Sequence, residues 1–232
     1  MADKPRALVT FPAETIASLR ARAASAVSFS EEGPEGWSRS KADPAKIVRV
    51  FRTLRVKDQF QLRGYEFRIG SNGNGVVHAL PRGEFPHPRD CEPDENTALR
   101  VPVPRHAIPF TMDAIEGDGS PLSYLSASLL FREFYEWGAI WHGRSWSDEA
   151  IIASDPRRRG QMTGPDWFWR SGPVIWRPGV SYFDPYVIAS FVTTTDVGQY
   201  RVIHHRDRYL RGRYVASFMR EIIAEGPRGI IY

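Results

Sequence analysis

The sequence predicts an α+β protein: an antiparallel sheet with a central packed helix and peripheral N- and C-terminal helices. Three observations carry this prediction. Leu122, Leu125, Leu129, Leu130, Phe134 and Trp137 form a wide apolar stripe at helical spacing after Ser120-Pro121. Strand-like stretches flank that helix on both sides, and short turn sequences separate consecutive strands. The 232 residues, 42% apolar and 25% charged, have an ordinary globular balance and suffice for a large core.

The elements follow in order. Residues 12–26 open on Pro12, carry Glu14 early and Arg20 and Arg22 late, and place Ile16, Leu19 and Ala23 at helical spacing. These charges complement a helix dipole, so the stretch is expected to be an amphipathic helix. Residues 29–42, with Gly33, Pro34, Gly36 and several serines, are expected to be a loop. Asp43-Pro44 then supplies an N-cap and a proline at the first helical position. Ile47, Val50, Phe51 and Leu54 follow at i, i+3, i+4 and i+7, which predicts a short helix over 44–54.

Residues 59–62 and 65–69 alternate like half-buried strands around a tight Arg63-Gly64 turn. Ser71-Asn72-Gly73-Asn74-Gly75 is a hairpin signal, with 76–80 as the returning strand. Residues 81–109 hold seven prolines and an acidic cluster around Glu92 and Glu95, which excludes a regular helix. They are expected to cross the surface in extended form, with an edge strand over 99–103. The chain is thus expected to be one domain over 1–232, or two lobes, 1–80 and 110–232, joined by 81–109.

Gly138 ends the central helix. A short strand over 139–142, a polar turn over 143–148 and a loop with three consecutive arginines over 155–165 are expected next. Residues 173–176, 186–195 and 199–205 have the β-branched and aromatic content of strands, and Asp196-Val197-Gly198 joins the last two. Val215, Phe218, Met219 and Ile222 share one face of a terminal helix expected over 213–225, stopped by Gly226-Pro227.

Composition excludes several classes. Cys91 is the only cysteine, so intrachain disulfides and multi-cysteine zinc sites are out. Its neighbours Asp90 and Glu92 disfavour a thiolate, making it a poor nucleophile. Residues 1–10 lack a long apolar core and no apolar run is long enough to span a membrane, so a soluble cytoplasmic protein with no membrane partner is expected. The net charge of +4 is uneven: residues 155–232 carry twelve basic and seven acidic side chains, the first 154 nineteen and twenty. The basic character belongs to the C-terminal third, and it is milder than in a dedicated nucleic-acid binder.

No P-loop, HExxH, GxSxG or GxGxxG sequence occurs. His205-Arg206-Asp207 lacks the asparagine that a kinase catalytic loop needs five residues on, where Gly212 stands. A facial-triad iron site wants a further histidine downstream, and none follows His205; the upstream His142 would break the usual order. No metal site and no cofactor is therefore assigned.

Three constellations remain. Six of the seven tryptophans lie between 137 and 176, and His142, Arg144, Asp148 and Glu149 are close by. Trp141, Trp146 and Trp169 could wall a small-molecule cleft with an imidazole and carboxylates at its rim. Glu133 and Glu136 share one face of the central helix, where a solvated surface is the expected setting. The run 201–213 holds five arginines, and Tyr209 lies among them. Guanidinium forks match phosphates and stack on bases, as tyrosines do. Strand alternation puts Arg206 and Arg208 on one face and His205, Asp207 and Tyr209 on the other.

Two functions fit. One is an enzyme on a small anionic or nucleotide-like substrate, with His142, His204 and His205 for proton transfer. Asp148 or Asp207 would orient a histidine, Trp141, Trp146 and Trp169 would wall the pocket, and Arg144, Arg206, Arg208 and Tyr209 would hold substrate; hydrolysis is the default reaction. The other is a non-catalytic protein whose basic strand and Trp-rich segment bind nucleic acid or a protein partner. Oligomeric state is not readable from the residues.

Overall fold

The computed structural model describes residues 5–29, 33–140, 144–170 and 175–230. Among the described residues, three α-helices and fourteen strands run in the order β1 (Ala7–Thr10), α1 (Ala13–Ser25), β2 (Gly36–Arg39), α2 (Pro44–Val50), β3 (Leu54–Val56), β4 (Phe60–Ile69), β5 (Asn72–Pro81), β6 (Glu92–Pro93), β7 (Pro102–Val103), β8 (Ile115–Gly117), α3 (Pro121–Tyr135), β9 (Ala150–Ile152), β10 (Phe168–Trp169), β11 (Gly179–Tyr182), β12 (Tyr186–Thr195), β13 (Gln199–Leu210) and β14 (Ala216–Arg228). The chain is α+β, and every ladder between these strands is antiparallel. No helix among the described residues is long and apolar enough to cross a membrane.

The chain divides into two compact units, Met1–Ala21 with Gly119–Ser128 and Asp148–Tyr232, and Arg22–Asp118 with Leu129–Ser147. The first unit is built on a seven-stranded sheet in the order β1-β11-β12-β13-β14-β10. β9 joins the same edge of β12 as β11 does, at Val192–Thr194. The inner face carries Phe191, Ile203, His205 and Tyr209, all buried. Its cover includes the first turns of α3: Ser128 Oγ bonds Tyr209 Oη at 2.7 Å, and the Tyr124 ring stacks on Tyr214 at 5.2 Å. Ser120 caps this helix, its Oγ accepting from Ser123 N at 3.3 Å. The outer face buries Val192 and Val202 under Trp167, Trp169 and Trp176.

The second unit holds the sheet β2-β4-β5 and the pairs β3-β8 and β6-β7. Asp43 caps α2 through Ala45 N at 3.0 Å, and Ile47, Val48 and Phe51 enter the core. Trp137, fully buried, lies on glycine backbone: a Cβ at Gly64 would fall 2.3 Å from its Nε1, and one at Gly75 2.6 Å from its carbonyl oxygen. These glycines allow the indole to reach the strands.

The structure departs from the sequence expectations at several points. The terminal helix expected over 213–225 is strand β14, paired with β13 from Tyr209↔Ala216 to Gln199↔Arg228. Val215, Phe218, Met219 and Ile222 fit a helical period, but a long partner strand overrides that local pattern. Phe218 and Met219 are 37% and 53% exposed. β13 is accordingly an interior strand, between β12 and β14. Arg63-Gly64 is no turn, for β4 runs through it unbroken; the hairpin turns at Gly70 (φ 55°) and Ser71, between Ile69 and Asn72. The expected loop at 29–42 contains β2, and the expected helix over 44–54 stops at Val50.

Candidate functional site

Alternation along β13 divides the predicted residues between two faces. His205 sits on the inner face between Phe191 of β12 and Arg220 of β14. Its ring stacks on Phe191 at 4.7 Å, and its Nε2 lies 3.0 Å from Glu149 Oε2 and 2.9 Å from Thr193 Oγ1. The Thr193 hydroxyl donates to the same Glu149 oxygen at 2.6 Å, and Arg220 donates to Oε1 at 2.8 Å. The Glu149 carbonyl accepts from the Arg20 guanidinium. Four elements thus converge on the carboxylate and carbonyl of Glu149, which lies one residue before edge strand β9. Burial alone would push its carboxyl up; the His205 hydrogen bond and charge, the Thr193 hydroxyl and Arg220 outweigh that and hold it below the usual carboxylate range. Glu149 and His205 are buried, and Arg220 is the member that reaches solvent, its side chain 49% exposed. Such a pair can hold and move a proton, and its hydrogen bonds also tie β9, β12, β13 and β14 together.

The outer face is of different composition. Every second residue of β13, from Tyr200 through Val202, His204 and Arg206 to Arg208, points to it. β10 pairs with β14 at Trp169↔Ala224, which brings the Trp-rich segment onto this face. Trp169 stacks against Trp167 at 6.5 Å and meets Trp176 edge-on at 6.3 Å; Tyr200 lies 6.1 Å from Trp167. All four are half-buried. Asp155 caps a single 3-10 turn, Pro156–Arg159, and its bidentate grip on Arg157 lays that guanidinium 4.2 Å over the Trp169 ring. Further along, His204 Nε2 lies 2.8 Å from Ser190 Oγ. Burial and the nearby Arg206 charge push its pKa down to about 4, so it is neutral at pH 7. Arg206 pairs with Glu221 at 2.9 Å, and Arg208 lies exposed over the Tyr186 ring at 4.5 Å.

The other predicted residues are dispersed. Trp141 and His142 lie outside the described residues. Tyr209 is 1% exposed beneath α3 and offers no stacking surface, and Asp207 is fully buried on the same inner face. Asp148 is half-buried beside Glu149. Trp146 and Arg144 belong to the second unit. There the Trp146 indole donates to Glu133 at 2.8 Å, and Glu136 accepts from the backbone N–H groups of Ser145, Trp146 and Ser147. Glu136 thus organises the 145–147 backbone and Glu133 holds the Trp146 indole, so neither is simply a solvated helix charge. Cys91 is also in the second unit, where burial raises its thiol above the ordinary range. Among the described residues no three His, Cys, Asp or Glu side chains gather as metal ligands.

Sequence reasoning passed over Glu149 as a ligand of His205 in favour of its neighbour Asp148. It also missed Thr193, and Arg220 was hidden inside the expected helix. On the outer face it missed Arg157, Trp167 and Tyr200, although their density in aromatic and basic residues was visible. Comparison with protein-family models, curated proteins and solved structures gives no match.

Proposed function

We propose that the first unit binds single-stranded nucleic acid across the outer face of its sheet. The observation that carries this reading is Arg157 stacked over Trp169 within the Trp167–Trp176–Tyr200 cluster, on the face that also bears Arg206 and Arg208. Bases of a single strand stack on indole and guanidinium planes, and arginines meet the phosphates between them. A duplex keeps its bases stacked on each other and gains little from such a surface. Charge supports the same reading: the first unit has fifteen basic and eleven acidic residues, whereas the second has sixteen of each.

The test is fluorescence anisotropy of labelled single-stranded DNA and RNA of about a dozen nucleotides across a salt series. The expected result is affinity falling linearly with log salt, by roughly 0.7 in log K for each phosphate neutralised. Trp169→Ala should weaken binding by about 1–3 kcal/mol. No salt-dependent binding at low ionic strength would end this reading.

A second reading is an acid–base enzyme for a small anionic or nucleotide-like substrate, with hydrolysis as the default. It rests on the 3.0 Å Glu149–His205 pair beside the Arg220 guanidinium. Turnover of a panel of nucleotides and phosphate esters that is abolished in His205→Asn, with the fold retained, supports it; equal turnover in both proteins overturns it.

A further inference from the structure

We infer that the first unit contains a subsite for a terminal phosphate, formed by Arg159 and Arg177 at the border of the aromatic cluster. The inference rests on the nucleic-acid reading and assigns one end of its ligand. A cavity of about 500 Å3 is lined by Thr10, Phe11, Glu14, Ser154, Arg159 and Arg177 among others. Neither arginine has an ion pair or hydrogen bond among the described residues. Four other arginines of this unit are each held by an acid: Arg157 by Asp155, Arg170 by Glu225, Arg206 by Glu221 and Arg220 by Glu149. The two guanidiniums outnumber Glu14, the acid on the same lining, so the cavity keeps a positive excess that an anion would neutralise.

The position ties the cavity to the aromatic surface. Arg177 follows Trp176 directly, so their Cα atoms are about 3.8 Å apart. Arg159 ends the turn whose Arg157 covers Trp169. A strand whose terminal base stacks on the tryptophans therefore brings its end phosphate to these arginines. Charge selects the chemical class. Two guanidiniums match the dianion of a phosphate monoester better than the single charge of an internal diester. Glu14 is the acid on the lining, in the first turn of α1, where the helix's N-terminal partial charge offsets its own in part. Ser154 and Thr10 add hydroxyl groups that can donate to phosphate oxygens.

The experiment compares one oligonucleotide with a 5′-phosphate and with a 5′-hydroxyl, each labelled at the 3′ end, on wild type, Arg159→Ala/Arg177→Ala and Glu14→Gln. Both arginines are exposed, so their removal should leave the fold intact. Wild type is expected to prefer the phosphorylated strand by about tenfold. The double variant should lose that preference while still binding the 5′-hydroxyl strand, and Glu14→Gln should enlarge it. Binding of both strands with no preference in wild type overturns the subsite and leaves the nucleic-acid reading standing. Should neither strand bind, that reading fails, and calorimetry with inorganic phosphate decides the subsite alone. Uptake lost in the double variant sustains it, and no uptake at millimolar phosphate overturns it. A 3′-phosphorylated strand, labelled at its other end, distinguishes which terminus is taken.

Discussion

Glu149 shows what a single buried side chain can hold together. Its carboxylate is bonded by Thr193, His205 and Arg220, so removing it strands three polar partners around a cavity. Glu149→Ala should destabilise the protein by about 3–5 kcal/mol in urea unfolding, as breaking a buried charged network does. Glu149→Gln, which keeps an acceptor for Thr193, should cost clearly less. The pH dependence follows from two shifted groups. His204 is neutral when folded, with a pKa near 4, but in the unfolded chain it takes up a proton around its ordinary 6.5. The unfolded state therefore binds more protons between those values, and stability present above about pH 6.5 is lost as pH falls toward 4. Half-buried His78 is shifted down by desolvation as well and acts in the same direction. Glu149, held low, adds a contribution present above the usual carboxylate range and lost as pH drops through its folded value. His204→Gln should flatten the stability curve between pH 6.5 and 4.5, and an unchanged slope would contradict the assignment to His204.

Among the elements, β14 is the one that local pattern misassigns and pairing explains. A helix over 213–225 would bury Phe218 and Met219, whereas the strand exposes both and buries Ile223 and Ala224. Met219→Ser should thus change stability by less than about 0.5 kcal/mol, while Ile223→Ala should cost about 2–4 kcal/mol. The reverse order would favour the helix. The β4-β5 hairpin offers a second test. A methyl group at Gly64 meets the Trp137 indole, so Gly64→Ala should cost roughly 1–3 kcal/mol through overpacking. In a Trp137→Leu background part of that cost should vanish, which a double-mutant cycle measures.

At the scale of the whole molecule, the net positive charge is confined to one unit, and that unit carries the aromatic–arginine face. Binding to a single strand should therefore lose its salt dependence stepwise as Arg206, Arg208, Arg159 and Arg177 are replaced. Substitutions at the exposed basic residues Arg49, Arg55 and Arg82 of the second unit should leave the slope unchanged. A uniform effect across both units would mean nonspecific attraction to net charge.

Much of the architecture was legible in the residues because it depends on short-range chemistry. Asp43-Pro44, the Leu122–Trp137 stripe and the β12–β13 hairpin declare themselves through caps, 3.6-residue spacing and turn residues a few positions apart. The alternation of β13 was equally legible, and it correctly separated Arg206 and Arg208 from His205, Asp207 and Tyr209. What the residues could not reveal was how the strands register across the sheet. That register places Arg220 opposite His205, seats Glu149 against Thr193, and carries Trp169 onto the face of Arg206. Each of these depends on partners tens of residues away, where pairing and burial outweigh local propensity. The identities of the candidate side chains were therefore in the sequence, and only the tertiary structure decided which of them share a face.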